Sequence, residues 1–328
     1  MLSVMTESMT RWVSNALDHA FANREQVDAR RGIADAAAVS VYLLGTRPLS
    51  FRGIETSAIA RLPAATALGT IGGFEPAEDY IRLDDQPYLL SDTVLRFQDA
   101  RGLINLNFGS ADDLFAVLGL FGVAAEDRGP LISKLQDYID ADSLTRLNGA
   151  EAPQYADAGR EPPANAPMRT PWEVRRILDW DKVAEIDRED SGWARVSSTA
   201  TFVGFNVNTA PRALLSLMPW MTQDAVEDVV HWRRQQPITS PEQFGALAGI
   251  RVAPGPSRFL TFPADNLVIT LSTKRAPLER RFAVHLTPQS RDHPWTIDFD
   301  LEVPRAAGDR GETNSDALPL PPLLLPIP

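Results

Sequence analysis

Two β-textured stretches that flank a long helical one constrain this chain more than any other feature. Residues 61–105 and 263–304 carry short β-prone runs, whereas 106–250 is predominantly helical. Phe282, Val284 and Leu286 alternate with their neighbours, as do Ile297, Phe299 and Leu301. Successive side chains of a strand point to opposite faces, so this alternation describes half-buried antiparallel strands. Three strands are expected in the second stretch: Asn266–Ser272, Arg280–Leu286 and Trp295–Val303. In the first, Thr93–Phe97 and Leu103–Leu106 form a hairpin through Asp99-Ala100-Arg101-Gly102. The simplest arrangement is one sheet with a helical domain inserted into it.

Ahead of the sheet, residues 11–44 read as one long helix. Trp12, Ala16, Ala20, Phe21, Val27, Ile33, Ala34, Ala37, Val41 and Leu44 give it a narrow apolar face. The chain starts in the middle of that pattern, so an upstream segment is expected. No stretch approaches the roughly 18–20 apolar residues that cross a bilayer, and the basic and apolar regions of a secretory signal are not visible. Within the helical stretch, one helix follows Ser110 and another has Pro130 in its first turn. A third begins at a capping box of Thr170, Pro171 and Glu173, which makes Glu173 a helix-start residue. Thr222 caps a helix through Arg234, and Ser240-Pro241-Glu242-Gln243 opens one that Gly249 closes. Proline recurs too often in ALPLPPLLLPIP for a regular core element, so the end reads as a flexible tail, with partner docking as the alternative. The expected layout is therefore 1–60, 61–105, 106–262, 263–304 and a tail at 305–328.

The formal net charge of −11 disfavours nonspecific binding to nucleic acid or anionic membrane and permits cation binding. The chain has no cysteine, which excludes disulfides, thiolate chemistry, zinc fingers and iron–sulfur clusters. His19, His231, His285 and His293 are scattered, and no HExxH or GxSxG occurs. No catalytic residue is expected, and the chain is read as no enzyme. The tryptophans at 172, 180, 193, 220 and 232 are assigned to core packing.

The chemistry concentrates in YIDADSLTRLNGAEAPQY, Tyr138 to Tyr155. Asp137 and Asp140 meet the negative end of the preceding helix, where an acid costs roughly 0.3–1 kcal/mol unless a cation compensates it. Counting Asp140 as the first position of a calcium loop, Asp142 is third and Glu151 twelfth, as in an EF-hand. Leu144 and Thr145, at the fifth and sixth, break that pattern. Asp140, Asp142 and Glu151 are thus a calcium-loop-like cluster, with a solvated acidic loop turning at Asn148-Gly149 as the alternative. Tyr155 reads as a packing residue, with support of the cluster through its backbone or hydroxyl as the alternative. One internal echo stands out: LINLN at 103–107 is answered by FNVNTAP at 205–211, and Asn107 and Asn208 are expected to organise two strand-to-helix exits through αL geometry or capping.

Several ordered pieces carry a family resemblance: ADAAAVSVYLL closing the first helix, DARGLINLN at Asp99–Asn107, LQDYIDADSLTRLNGAEAPQY at Leu135–Tyr155, PPANAP at Pro162–Pro167, PWEVRRI at Pro171–Ile177 and FNVNTAPRALLSL at Phe205–Leu217. Together they resemble the K-type minor pseudopilins of the bacterial type II secretion system, known as general secretion pathway protein K. The resemblance implies an α+β fold: a pilin-like long N-terminal helix on a small antiparallel sheet, with a large helical domain inserted into the sheet. It implies a structural subunit at the tip of the periplasmic pseudopilus, in complex with I-type and J-type minor pseudopilins and assisting export of folded proteins across the outer membrane. It further implies inner-membrane anchoring, a periplasmic globular part, and structural calcium in the helical domain, placed here on Asp140, Asp142 and Glu151. The family begins with a basic leader, a cleavage site and a hydrophobic segment, none of which is visible, and Ala100 stands where its members carry an acid. The stretch Phe205–Ile250 also resembles a helix-hairpin-helix DNA-binding module. Its hairpin, Met218-Pro219-Trp220-Met221, has no glycine, and proline removes one amide donor.

Overall fold

A computed structural model describes residues 2–56, 79–188, 191–252, 258–274, 278–305 and 317–321. Helix α1 (Leu2–Thr46) comes first, followed by β1 (Ile54–Glu55), β2 (Tyr80–Ile81), β3 (Asp84–Leu90) and β4 (Thr93–Asp99). The inserted region holds β5 (Ile104–Asn105), α2 (Ala111–Leu120), α3 (Ala125–Ile139), α4 (Ala152–Asp157), α5 (Ala184–Asp187), α6 (Trp193–Val196) and β6 (Ser197–Ser198). It continues with β7 (Phe205–Asn206), α7 (Arg212–Leu215), α8 (Gln223–Gln235), α9 (Pro241–Leu247) and β8 (Phe259–Leu260). β9 (Asn266–Thr273), β10 (Leu278–Leu286), β11 (Trp295–Pro304) and β12 (Leu318–Pro319) return to the main sheet.

That sheet has the order β11-β10-β9-β4-β3-β12, antiparallel except for the β12–β3 pair. The α+β arrangement expected from the sequence is therefore present, although residues 61–78 of the expected first sheet segment lie outside the described residues. One face of the sheet packs on α1. Ala36, Ala37, Leu43 and Leu44 meet Leu95, Phe97, Leu267, Ile269, Phe282 and Val284 in one core cluster. The helix is about 68 Å long at 1.5 Å per residue, and only its C-terminal part is docked. Residues 11–28 are exposed, Trp12, Leu17 and Phe21 included.

β4 and β9 are neighbours, paired from Thr93↔Thr273 to Asp99↔Leu267. The insertion leaves and re-enters the sheet at the same place, and Asp99 fastens this neck. Its Oδ1 accepts from the Arg101 N–H at 3.0 Å and the Ala264 N–H at 2.9 Å, and its Oδ2 from Asn206 Nδ2 at 2.7 Å and Thr209 Oγ1 at 2.8 Å. Gly102 is required beside it, because a Cβ there would lie 2.7 Å from the Thr209 backbone.

The insertion consists of two units with separate cores, one around Leu118, Leu135, Trp180 and Trp193 and one around Val207, Leu215, Val229 and Phe244. Each opens with an Asn-x-Asn motif on a short parallel strand pair, β5 with β6 and β7 with β8. In each motif the first asparagine caps and the second clamps. Asn105 Oδ1 accepts from the Asn107 N–H at 3.0 Å, as Asn206 Oδ1 does from the Asn208 N–H at 3.0 Å. Asn107 Nδ2 donates to Met168 O and Thr199 O while its Oδ1 accepts from the Met168 N–H. Asn208 repeats this with Ile238 O, Thr261 O and the Ile238 N–H. The expected organising role is met by a different device: neither Asn107 nor Asn208 has a positive φ, and both reach across to a distant segment.

Other local expectations need correction. The Asp99–Gly102 turn does not make a hairpin, because β5 pairs with Ser197–Ser198 and not with β4. Helix α3 starts at Ala125 and holds Pro130 in its interior. Pro171–Arg176 is a 3₁₀ helix without a side-chain cap from Thr170, and Glu173 instead accepts from Tyr138 Oη at 3.1 Å and the Arg169 N–H at 2.9 Å. Ser240 does cap α9, yet Gln243 reaches back to the Thr239 N–H. In the proline-rich end, Leu318–Pro319 forms a short exposed strand beside Tyr88–Leu89, an addition at the sheet edge and no core element, while 306–316 and 322–328 of the expected tail lie outside the described residues. An edge strand needs only one row of hydrogen bonds, so proline is tolerated, and the Leu320 N–H bonds Leu89 O at 3.2 Å.

Candidate metal centre

Helix α3 buries Leu131, Ile132, Leu135 and Tyr138 and carries Asp137 inward on its last turn, fully buried. Asp137 has a partner that the sequence reading missed. Arg146 Nη1 donates to Asp137 Oδ1 at 2.7 Å and also pairs with Asp140 Oδ2, and the Arg146 N–H donates to Asp137 Oδ2 at 3.2 Å. The cation expected at this helix end is in part Arg146, the one basic residue between Tyr138 and Tyr155. That solitary charge in an acidic run was the available signal.

The loop then turns through Asn148, at φ +63°, and closes tightly on Asp137. A Cβ on Gly149 would lie 1.9 Å from Asp137 Oδ2, so only glycine fits. The Leu144 N–H donates to Asp142 Oδ1 at 2.8 Å, and Asn165 Nδ2 holds Asp142 O at 2.8 Å. Glu151 sits at the N-cap of α4 with its own N–H bonded to Gln154 Oε1 at 2.9 Å. These restraints bring Asp140, Asp142 and Glu151 together, with one carboxylate oxygen from each within 4.8 Å of the others. Among the described residues no other such cluster of three or more His, Asp or Glu side chains occurs.

The electrostatics favour a cation. Four acids, Asp137, Asp140, Asp142 and Glu151, share one nearby guanidinium. Glu151 is 1% exposed, and neither of its carboxylate oxygens has a hydrogen-bond partner; Asp140 Oδ1 is likewise buried and unpartnered. Burial first, and then Asp137, Asp140 and Asp142, push the Glu151 carboxyl above its ordinary range. An ionised carboxylate left so is costly unless it is paired or bound to a metal. The donor set fits a hard divalent ion: all oxygen, with Asp140, Asp142 and Glu151 as anionic ligands and carbonyls or water to complete the six to eight positions calcium takes. Tyr155 is fully buried with its hydroxyl accepting from the Leu178 N–H at 3.1 Å, a packing role.

Residues 102–184, which include the whole acidic loop, match the family model of the type II secretion system, protein K. The family likeness rests on this segment, which is less than half of the chain. No curated protein matches the chain. Among solved structures, the chain is similar to a chain in the GspK-GspI-GspJ complex from the type 2 secretion system of enterotoxigenic Escherichia coli, with 15% identity, 66% of this chain and 82% of that chain covered, and a TM-score of 0.46. Trp180 and Trp193, at 0% and 2% exposure, stack edge to face in the core of the matched protein K segment and its continuation, as their assignment to packing required. Trp220 is more open and packs on Phe244 and Phe259 of the second unit.

Proposed function

We propose that the chain is a minor pseudopilin that stands at the tip of a type II secretion pseudopilus and works as an assembly part, without catalysis. The observation that carries this reading is the protein K family match over residues 102–184. The shape supports it. The docked half of α1 anchors the sheet, and the exposed half presents Met9, Val13, Leu17 and Phe21 at four-residue spacing, a stripe suited to partner helices. The inserted units form a bulky head on the sheet. Arg195 locks the head in place, with Nη1 2.7 Å from Asp85 Oδ2 and Nη2 2.9 Å from Glu279 Oε2. Burial alone would raise the Asp85 carboxyl, but Arg195, Arg96 and Arg281 outweigh it and hold it below the ordinary range.

The partners are I-type and J-type minor pseudopilins, the anchor is the inner membrane and the head is periplasmic. No helix among the described residues is long and apolar enough to cross a membrane, so the anchoring part of this reading rests on the family alone. Calcium is structural: Asp140, Asp142 and Glu151 hold it, and it neutralises the loop that follows α3. Mixing with I and J pseudopilins should give one complex on gel filtration, and separate elution at micromolar concentration would sink the assembly reading. The DNA-binding alternative finds no support, because Arg233, which with His231 and Arg234 makes the one small basic group of that stretch, spends its Nη1 on Val207 O and Ala210 O inside the fold.

A further inference from the structure

A second charged feature lies away from the acidic loop and has the opposite sign. Where the segment after α1, the β2 region and the second unit meet, Phe51, Arg52, Tyr80, Arg82, Asp84 and Arg233 line a narrow cleft of about 20 Å³. Arg82 pairs with Asp84. Arg52 lies over the Tyr80 ring at 5.4 Å, and Arg233 bonds only carbonyls. Three guanidinium groups therefore face one carboxylate, a local excess of two positive charges on a chain of net charge −11. Burial pushes Arg233 down to about 10, with Arg82 and Arg234 adding repulsion against the attraction of Asp84.

The space is too small for a metabolite. A cleft of that volume admits about one water-sized group, such as the tip of a side chain. Beside it, Phe51 and Phe262 stack edge to face at 5.4 Å, and both remain about two-fifths exposed. Arginine forks match carboxylates in a bidentate way, and exposed aromatics next to arginine are the composition of an interface centre.

We propose that this cleft is a socket for an aspartate or glutamate side chain of a partner protein, whose apolar neighbour rests on the Phe51–Phe262 shoulder. The pairing is local, since the acidic chain as a whole repels an acidic partner at long range. It is independent of the calcium loop and of the pseudopilus reading.

The test is a titration of the full chain, followed by NMR, with the capped tripeptides Leu-Glu-Leu and Leu-Gln-Leu and with acetate alone. The Glu peptide should bind at least tenfold more tightly than either of the other two. Arg52→Gln should abolish that preference, since Arg52 touches only a ring face, and Phe51→Ser should weaken the Glu peptide but leave acetate unchanged. Melting curves of both variants should match the wild type. Arg233→Ala is a poor probe because it strands two carbonyls. Equal binding of the two peptides, no binding at millimolar concentration, or an intact preference in Arg52→Gln would overturn the proposal. Acetate binding as tight as that of the Glu peptide would overturn it too, leaving a small-anion site only.

Discussion

The two Asn-x-Asn units perform the same structural task with different consequences. In both, the first asparagine closes a turn and the second ties its strand exit to a remote segment. Of the two units, only the first follows its helix pair with an acidic loop whose carboxylates, among the described residues, include buried oxygens without partners. The second unit places a cation, Arg233, against its own carbonyls. One scaffold thus holds a cluster of acids in one copy and an internally satisfied motif in the other. The clamp is the common architecture, and the loop is what one copy adds to it.

The largest expected effect removes what both units share. Asp99→Ala leaves the Arg101 and Ala264 N–H groups and Asn206 Nδ2 without their acceptor, each costing about 1–3 kcal/mol, while Thr209 Oγ1 keeps Asn206 O, so a loss of about 3 kcal/mol or more is expected in chemical denaturation. A milder loss would show that the units do not depend on this neck. Next come the clamps themselves. Asn208→Ala strands three groups at a buried site and should cost about 2–4 kcal/mol, while Asn107, which is half-buried, should cost about 1–2 kcal/mol. Independent units require the double variant to be additive within about 0.5 kcal/mol. A larger coupling would make the insertion one unit.

Which parts of this were legible follows from where the partners lie. The sheet was readable because strand texture is local, and all three C-terminal strands fall where expected, although the half-buried alternation does not hold: β9 is buried throughout, and Ile297 and Leu301 of the edge strand β11 are exposed. The hairpin was misread because β5 finds its partner at Ser197, far along the chain, and turn chemistry says nothing of that. The Asn-x-Asn echo was visible as residue types at equal spacing. Its mechanism was not, since Asn107 clamps a residue 92 positions away and Asn208 one 53 away. The acids of the loop could be singled out by their spacing, whereas what brings Asp140, Asp142 and Glu151 together, and the claim of Arg146 on Asp137 and Asp140, depends on how the loop folds back.

Calcium should separate the units. At free calcium 100-fold above its dissociation constant the fold gains about 2.7 kcal/mol, read as a rise in melting temperature that a chelator reverses. Asp142→Ala should remove the response. Hydrogen exchange should slow at 137–151 and stay unchanged at 205–260; equal slowing in both would erase the distinction drawn between them. Identical melting of wild type and Asp142→Ala with and without calcium would refute the metal site itself.

The smallest effect is in pH. The folded carboxyl of Glu151 is raised above its ordinary 4.5, so the fold favours its protonated form. The contribution of this group in metal-free protein is full below 4.5 and is lost as pH rises through the folded value. On the proposed calcium site, bound metal would reverse the preference, because it would bind the carboxylate. Exchange protection at 137–151 in chelated protein should therefore increase on mild acidification, and the gain from calcium should shrink over the same range. The second unit has its shifted group at Arg233, at about 10, far from that window. Its protection should stay level from neutral pH downward through the Glu151 transition. A parallel rise in both units would mean that the acid response comes from the neck at Asp99, whose carboxyl burial also pushes up, and would move the origin of the pH response from the loop to the attachment of both units.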